Sequence, residues 1–258
     1  MSRLRARCPA CRTLTAVALG PEYQCHACGR EFAAGLVRVP RAWGDGGEAM
    51  AAAAHLDLPY PEAGVVDEET LAEQTLALAA QLPARPLVLG GCCCAHVGAV
   101  EGLSAAHGRL GVVWIDAHGD LNTPASSPSG NPWGMPLRML IDDGAVRPKD
   151  VALVGARALD PPEVEFVAAA GVHTGADAVE RALADVDAVY VALDCDVVEP
   201  GELKVFMPEP DGIRLDELEA LLARVAATAE VAGLGLTGLR AEPENERELA
   251  RLAAAALG

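Results

Sequence analysis

The chain is short of aromatic residues, of long apolar runs and of basic residues to balance its acidic ones. Three Trp, three Tyr and three Phe make up 3% of 258 residues. A core must therefore be filled by Ala, Leu, Val and Gly, the profile of helices packed closely on a sheet. No apolar stretch approaches the ~18 residues of a membrane-spanning helix, and Met1–Arg7 is basic with no hydrophobic segment behind it. We expect a cytoplasmic protein with no membrane partner. Lys and Arg number 20 against 37 Asp and Glu, a net charge of −17. Residues 1–41 hold seven Arg and two Glu, a net of +5, which leaves −22 for residues 42–258. So acidic a body repels phosphate backbones, which excludes nucleic acid as its partner and leaves small cationic ligands tolerated. A disulfide framework is also missing. The eight cysteines fall as Cys8, Cys11, Cys25 and Cys28, then Cys92, Cys93 and Cys94, then Cys195 alone, a pattern of thiolate ligands or reduced thiols.

The first group has the spacing of a zinc ribbon. Each C-x-x-C turn aims two sulfurs at one ion, and two such turns make a closed tetrahedral Cys₄ site for structural Zn²⁺. His26 lies inside the second turn but four cysteines make it unnecessary. A closed site leaves no position for substrate, so this module should fold, dock or recruit. We place its boundary near residue 40, giving a ribbon at 1–40 and a main domain at 41–258.

Beyond it, strand and helix patterns alternate. A short strand is expected at Leu36–Val39 and a helix at Glu68–Leu82 capped by Asp67, with Leu71, Thr75, Leu78 and Leu82 at helical spacing. Strands follow at 87–91, 111–116, 151–155, 188–193 and 234–239. Helices are expected to about 107, then at 135–141, 161–170, 214–229 and 244–257, with Asp216 and Glu219 placed like a cap and its partner. This order predicts an α/β domain, an open, mostly parallel sheet with helices on both faces and its chemistry at the C-terminal strand ends.

Three strand ends carry ligand chemistry. In Val112–Asp120, read V-V-W-I-D-A-H-G-D, alternation sends Asp116, His118 and Asp120 the same way if extension continues. Two carboxylates and an imidazole suit Mn²⁺, Fe²⁺ or Zn²⁺; the competing reading is a solvated acidic turn. Asp194 and Asp196 face together in L-D-C-D-V-V-E-P, with Cys195 turned away as a small core residue. Gly90–His96 forms the third end.

Here the chain resembles the ureohydrolase family of arginases and agmatinases, binuclear manganese enzymes with an open α/β fold. Asp116-Ala117-His118-Gly119-Asp120 is similar to that family's D-A-H-x-D, and Asp194-Cys195-Asp196 to its D-x-D. The resemblance implies that Asp116 and Asp194 bridge two ions, that Asp120 completes one site and that His118 and Asp196 complete the other. It also implies that Asn122, Ser129 and Asn131 read the amino-acid end of a substrate, with Asp160 and Glu163 serving its amino group, and that the chain forms a homo-oligomer. Three positions depart. Cys93 stands where the family has a ligand His, which would move metal preference from Mn²⁺ toward Zn²⁺ or Fe²⁺, with His96 one turn on as a second candidate. Trp133 replaces a proton-relaying His and could stack on a planar cation. Gly238 replaces the Glu that grips a guanidinium, leaving Glu199, Glu242 and Glu244 as substitutes.

The expected activity is metal-dependent hydrolysis of a C–N bond in a small guanidino, amidino or amino-acid-like compound. Asp120 would accept a hydrogen bond from the attacking water and pass its proton to the departing amine. The alternative is a non-catalytic protein of the same fold, with a degraded or single-metal site that senses a ligand or supports assembly through the ribbon.

Overall fold

In the computed structural model, which describes residues 8, 10–11, 13, 15–19, 22–32, 34–175 and 177–258, the chain forms two sheets. A small antiparallel sheet joins β1 (Ala16–Leu19), β2 (Glu22–Cys25) and β3 (Glu31–Phe32). Cys8, Ala16, Cys25 and Phe32 fill its interior, which is too little apolar surface to be stable without a staple. Phe32 meets Tyr60 of the main body edge-on at 6.4 Å.

The large sheet has eight strands, all parallel to their neighbours: β4 (Ala34–Val39), β5 (Glu62–Val65), β6 (Arg85–Gly90), β7 (Leu110–Ile115), β8 (Val151–Val154), β9 (His173–Thr174), β10 (Ala188–Asp194) and β11 (Val231–Thr237). Their order is β5-β4-β6-β11-β10-β7-β8-β9. Strand alternation feeds two cores. Val113, Ile115, Val191 and Leu193 point to the face covered by α6 (Ala178–Ala182), α7 (Leu215–Thr228) and α8 (Asn245–Leu257). Val112, Trp114 and Tyr190 point to the face covered by α2 (Leu71–Gln81), α3 (Ala95–Ala106), α4 (Pro136–Asp142) and α5 (Pro161–Ala170). A one-turn helix, α1 (Glu48–Ala51), precedes β5.

The boundary at residue 40 needs correction. Ala34–Val39 pairs with Arg85–Gly90 along its length, so the last strand before the proposed boundary is a strand of the large sheet, and the small sheet ends at Phe32. Two caps also differ. The helix after Asp67 starts later, at Leu71, because the Thr70 hydroxyl accepts from the Glu73 amide. In α7 the carboxylate that returns to the helix start is Glu217, not Glu219, accepting from the Arg214 amide. The edge strands β5 and β9 carry no alternation the sequence would reveal.

Register sets the level of the site. Leu193 lies beside Ile115, Asp194 beside Thr237 and Leu236 beside Leu89. The ends of β6, β11, β10 and β7 therefore reach one plane side by side.

Candidate metal centre and active site

Three of the four central strand ends bring ligand atoms into that plane. After β7 the chain turns so that the His118 amide donates to Asp116 Oδ1 at 2.7 Å, and Asp120 takes a left-handed φ of +52°. Extension past Asp116 is not needed, because the loop itself returns Asp120 to the cluster. After β10 the Asp196 amide donates to Asp194 Oδ1 at 2.9 Å, and the Ala117 amide donates to Asp196 Oδ1 at 3.2 Å, which ties the two ends together. After β6 the Cys93 thiol, buried at the head of α3, donates to Asp194 Oδ2 at 2.8 Å.

Two donor sets result, each with its ligand atoms within 4.8 Å: Cys93, Asp116 and Asp120, and Asp116, His118 and Asp196. Asp116 belongs to both. Burial, joined by neighbouring carboxylates, pushes Asp120 well above the usual carboxylate range and Asp194 up to about 7, and raises Asp116 and Asp196 as well. Burial and the same carboxylates also push the Cys93 thiol upward. Burial alone would lower His118, but its hydrogen bonds to Asp116 and Asp196 raise it to about 12. Four buried carboxylates thus face one imidazole, and Asp120 Oδ2 is buried with no hydrogen-bond partner. Such an arrangement is costly unless protons or cations fill it, and mixed O, N and S donors at this spacing fit divalent cations.

The cluster lies against a cavity of about 460 Å³. Asn122, Ser127, Ser129 and Asp160 give it polar groups, and Met50, Trp133, Phe206 and Met207 give it apolar ones. Asn122 is fixed at both ends, donating to Asp160 Oδ2 and accepting from the Ser126 hydroxyl, each at 2.8 Å. Glu163 also lines the cavity but spends its carboxylate on the Leu121 and Asp160 amides, both at 2.9 Å. Asn131 does not line it among the described residues, and its Oδ1 accepts from the Asp45 amide. Trp133 packs over Gly44 and meets Phe206 edge-on at 6.0 Å.

A family model described as the Arginase family matches residues 47–258, most of the chain. The chain belongs to the arginase family. Against a Staphylococcus aureus arginase it is 37% identical over 142 residues, 45% of this chain and 47% of that one, and against a Bacillus subtilis arginase 34% over 142 residues, with 45% and 48% covered. The matching stretch thus spans about half the length of these curated relatives. The fold is also that of a solved B. subtilis arginase, with a TM-score of 0.76 at 23% identity over 87% of this chain and 98% of that one. The Streptomyces clavuligerus proclavaminate amidino hydrolase shares it at a TM-score of 0.66 and 21% identity, with 87% and 93% covered.

Cys93, Trp133 and Gly238 all line the cavity of this arginase-family chain. Gly238 holds a φ of +72°, and a Cβ there would lie inside the Asp194 carboxylate, so no side chain fits without displacing Asp194. Cys93 sits in the ligand cluster, whereas His96 is fully buried behind it, outside both donor sets. Of the carboxylates suggested as substitutes for a guanidinium partner, Glu199 accepts from the Gly212 amide, and Glu242 and Glu244 do not line the cavity. Glu209 was not foreseen, because nothing in its local sequence marks it. Its Oε1 lies 3.7 Å from His118 Nε2. Arg157 holds that loop in place, donating to the backbone carbonyls of Gly155, Asp196, Glu209 and Pro210.

Proposed function

We propose that the protein is a metal-dependent hydrolase of a C–N bond in a small amidino, guanidino or amide-like compound. One observation carries the reading: two donor sets share Asp116 beside a cavity lined by both polar and apolar side chains. Two divalent ions, when bound, supply Lewis acidity that brings proton loss from water toward neutral pH. Asp116, Asp120, Asp194, Asp196, His118 and Cys93 would hold them. Asp120, whose Oδ2 has no other partner, accepts the hydrogen bond from attacking water and returns the proton to the departing amine. Asn122, Ser129 and Asp160 orient the polar end of the substrate. Glu163 acts through them, fixing the Asp160 and Leu121 backbone. Trp133 excludes water beside the reacting group and has no nitrogen able to relay a proton.

The metals proposed are Mn²⁺, or Zn²⁺ or Fe²⁺ where the Cys93 sulfur decides. Replacing Cys93 with His is expected to raise Mn²⁺ affinity about tenfold, read by competition with a chelator; unchanged affinity excludes Cys93 as a ligand. In the small sheet we propose structural zinc. Cys8 and Cys28 Sγ stand 3.6 Å apart and Cys11 and Cys25 Sγ 3.5 Å, close to the roughly 3.8 Å spacing of four sulfurs about 2.3 Å from one tetrahedral ion.

The second reading, a non-catalytic member that senses a ligand, is favoured by Gly238, where the backbone leaves no room for a guanidinium-gripping carboxylate. Metal analysis of the purified chain, with an ammonia- and urea-release screen over guanidino, amidino and amide compounds, separates the two. Turnover under Mn²⁺, Zn²⁺ or Fe²⁺ loading establishes the hydrolase. One cavity ion and no turnover establish the sensor.

A further inference from the structure

His96 is the buried titratable group that the proposed chemistry leaves unused. It lies one helical turn after Cys93, fully enclosed, with its ring edge-on to Trp114 at 5.1 Å and Tyr190 at 5.8 Å. Its Nδ1 is 3.0 Å from the Tyr190 hydroxyl and its Nε2 is 3.2 Å from Thr237 Oγ1. Thr237 Oγ1 in turn lies 3.3 Å from both Asp194 Oδ2 and Cys93 Sγ. Burial holds the imidazole neutral, lowering it to about 3, so one nitrogen donates and the other accepts. Among the described residues the Tyr190 hydroxyl has no other hydrogen-bond acceptor, and burying its O–H unpaired would be costly. Tyr190 therefore donates to Nδ1, Nε2–H donates to Thr237, and the Thr237 proton is left for Asp194 Oδ2 and Cys93 Sγ at 3.3 Å, which are nearer than its remaining acceptor, the Leu193 carbonyl at 3.5 Å. Gly235 makes room for the chain, since a Cβ there would run into the Tyr190 hydroxyl and the His96 ring.

We infer that Tyr190, His96 and Thr237 form a directed hydrogen-bond chain that positions Cys93 and Asp194 for the ion bound by the Cys93–Asp116–Asp120 set. The imidazole acts one layer behind the ion, and the thiolate in front of it receives the Thr237 proton as a hydrogen bond. Tyr190, Thr237 and His96 are held by two packed strands and a helix, so the direction of the chain is fixed before any ion arrives. Outer hydrogen bonds of this kind set ligand orientation and typically change metal affinity about 10- to 100-fold when removed. The inference rests on the two-ion reading above.

The test is Mn²⁺ binding to the purified full chain by equilibrium dialysis. Four cysteine thiolates discriminate against manganese, so the ion reports the cavity and not the small sheet. Thr237→Val keeps the side-chain shape and removes the hydroxyl. It is expected to weaken one of two manganese sites about 10- to 100-fold while sparing the one built on His118 and Asp196. Thr237→Ser should recover wild-type binding, and His96→Gln, which keeps a donor toward Thr237, should fall between wild type and His96→Leu. If the His96 variants fail to fold, Thr237→Val and Tyr190→Phe decide. Wild-type affinity in Thr237→Val overturns the inference and leaves the hydrolase reading standing, as does equal loss at both sites with no recovery in Thr237→Ser. A wild-type cavity that takes up no manganese, zinc or iron overturns the two-ion reading, and the inference with it.

Discussion

In the small antiparallel sheet four cysteines face one another, whereas at the ends of β6, β7 and β10 a single thiol faces carboxylates and an imidazole beside an open cavity. Two sulfurs of the first cluster, those of Cys8 and Cys25, themselves belong to its small core, which among the described residues adds only Ala16 and Phe32, and threonine hydroxyls stand close by, with Thr15 Oγ1 3.4 Å from Cys25 Sγ. The second cluster sits on strands whose side chains are packed on both faces. A fold that small depends on its staple. A large sheet can instead afford to bury repelling charges, because its core holds them in place. The difference separates an ion proposed to make structure from ions that a structure would make possible.

The most drastic way to test that separation is Asp116→Asn. Asp116 is shared by both donor sets, and its Oδ2 also accepts from Trp114 Nε1 at 3.1 Å. The substitution is expected to empty both cavity sites and cut any turnover by more than about 10³-fold, while zinc in the small sheet stays at one per chain by elemental analysis. Loss of that zinc as well would show that the two centres are not independent.

Cys8→Ser probes the other side. Cys8 is fully buried in the small core, so losing its sulfur should release the zinc and expose residues 8–32 to limited proteolysis. The main domain should keep its cavity ions and its melting temperature within a few degrees. A melting temperature that falls by more than about 5 °C, on the order of 2 kcal/mol, would make the small sheet part of the main fold's stability. Phe32 against Tyr60 is the contact through which that would act.

Much of this contrast could be read in the sequence. The C-x-x-C spacing brought four sulfurs together because the turns are local, and strand-helix alternation predicted the parallel sheet because each βαβ step is local too. The cluster of Asp116, His118, Asp120, Asp194 and Asp196 was legible because each group lies within a few residues of a strand end. What escaped depends on long-range placement. That Ala34–Val39 joins the large sheet is decided by its pairing with Arg85–Gly90. Glu209 reaches His118 only because Arg157 gathers four carbonyls from separate segments. Glu163 and Asn131 are substrate ligands only by what the resemblance implies, and backbone amides take up both Glu163 oxygens and Asn131 Oδ1, which no side-chain pattern announces.

Gly238 sharpens the comparison where it is most exposed, at the junction between scaffold and ligand. Its φ of +72° already disfavours any L residue, a cost of about 1–2 kcal/mol. The first carbon of a side chain would also displace Asp194, adding about 1–3 kcal/mol of overpacking. Gly238→Ala is therefore expected to lose about 2–5 kcal/mol in a denaturant titration and to weaken manganese binding, because the carboxylate that moves is the one Cys93 and Thr237 hold. Gly238→Glu should behave as badly or worse and should not confer hydrolysis of guanidino compounds, since the new carboxylate arrives only by pushing a metal-site carboxylate aside. Were Gly238→Ala as stable as the wild type, with manganese affinity unchanged, the strand end would have to relax by more than the Phe206 amide's hydrogen bond to the Gly238 carbonyl and the nearby Asp194 carboxylate allow. The cavity would then be a pliable surface, and the contrast with the small cysteine sheet would lose its basis.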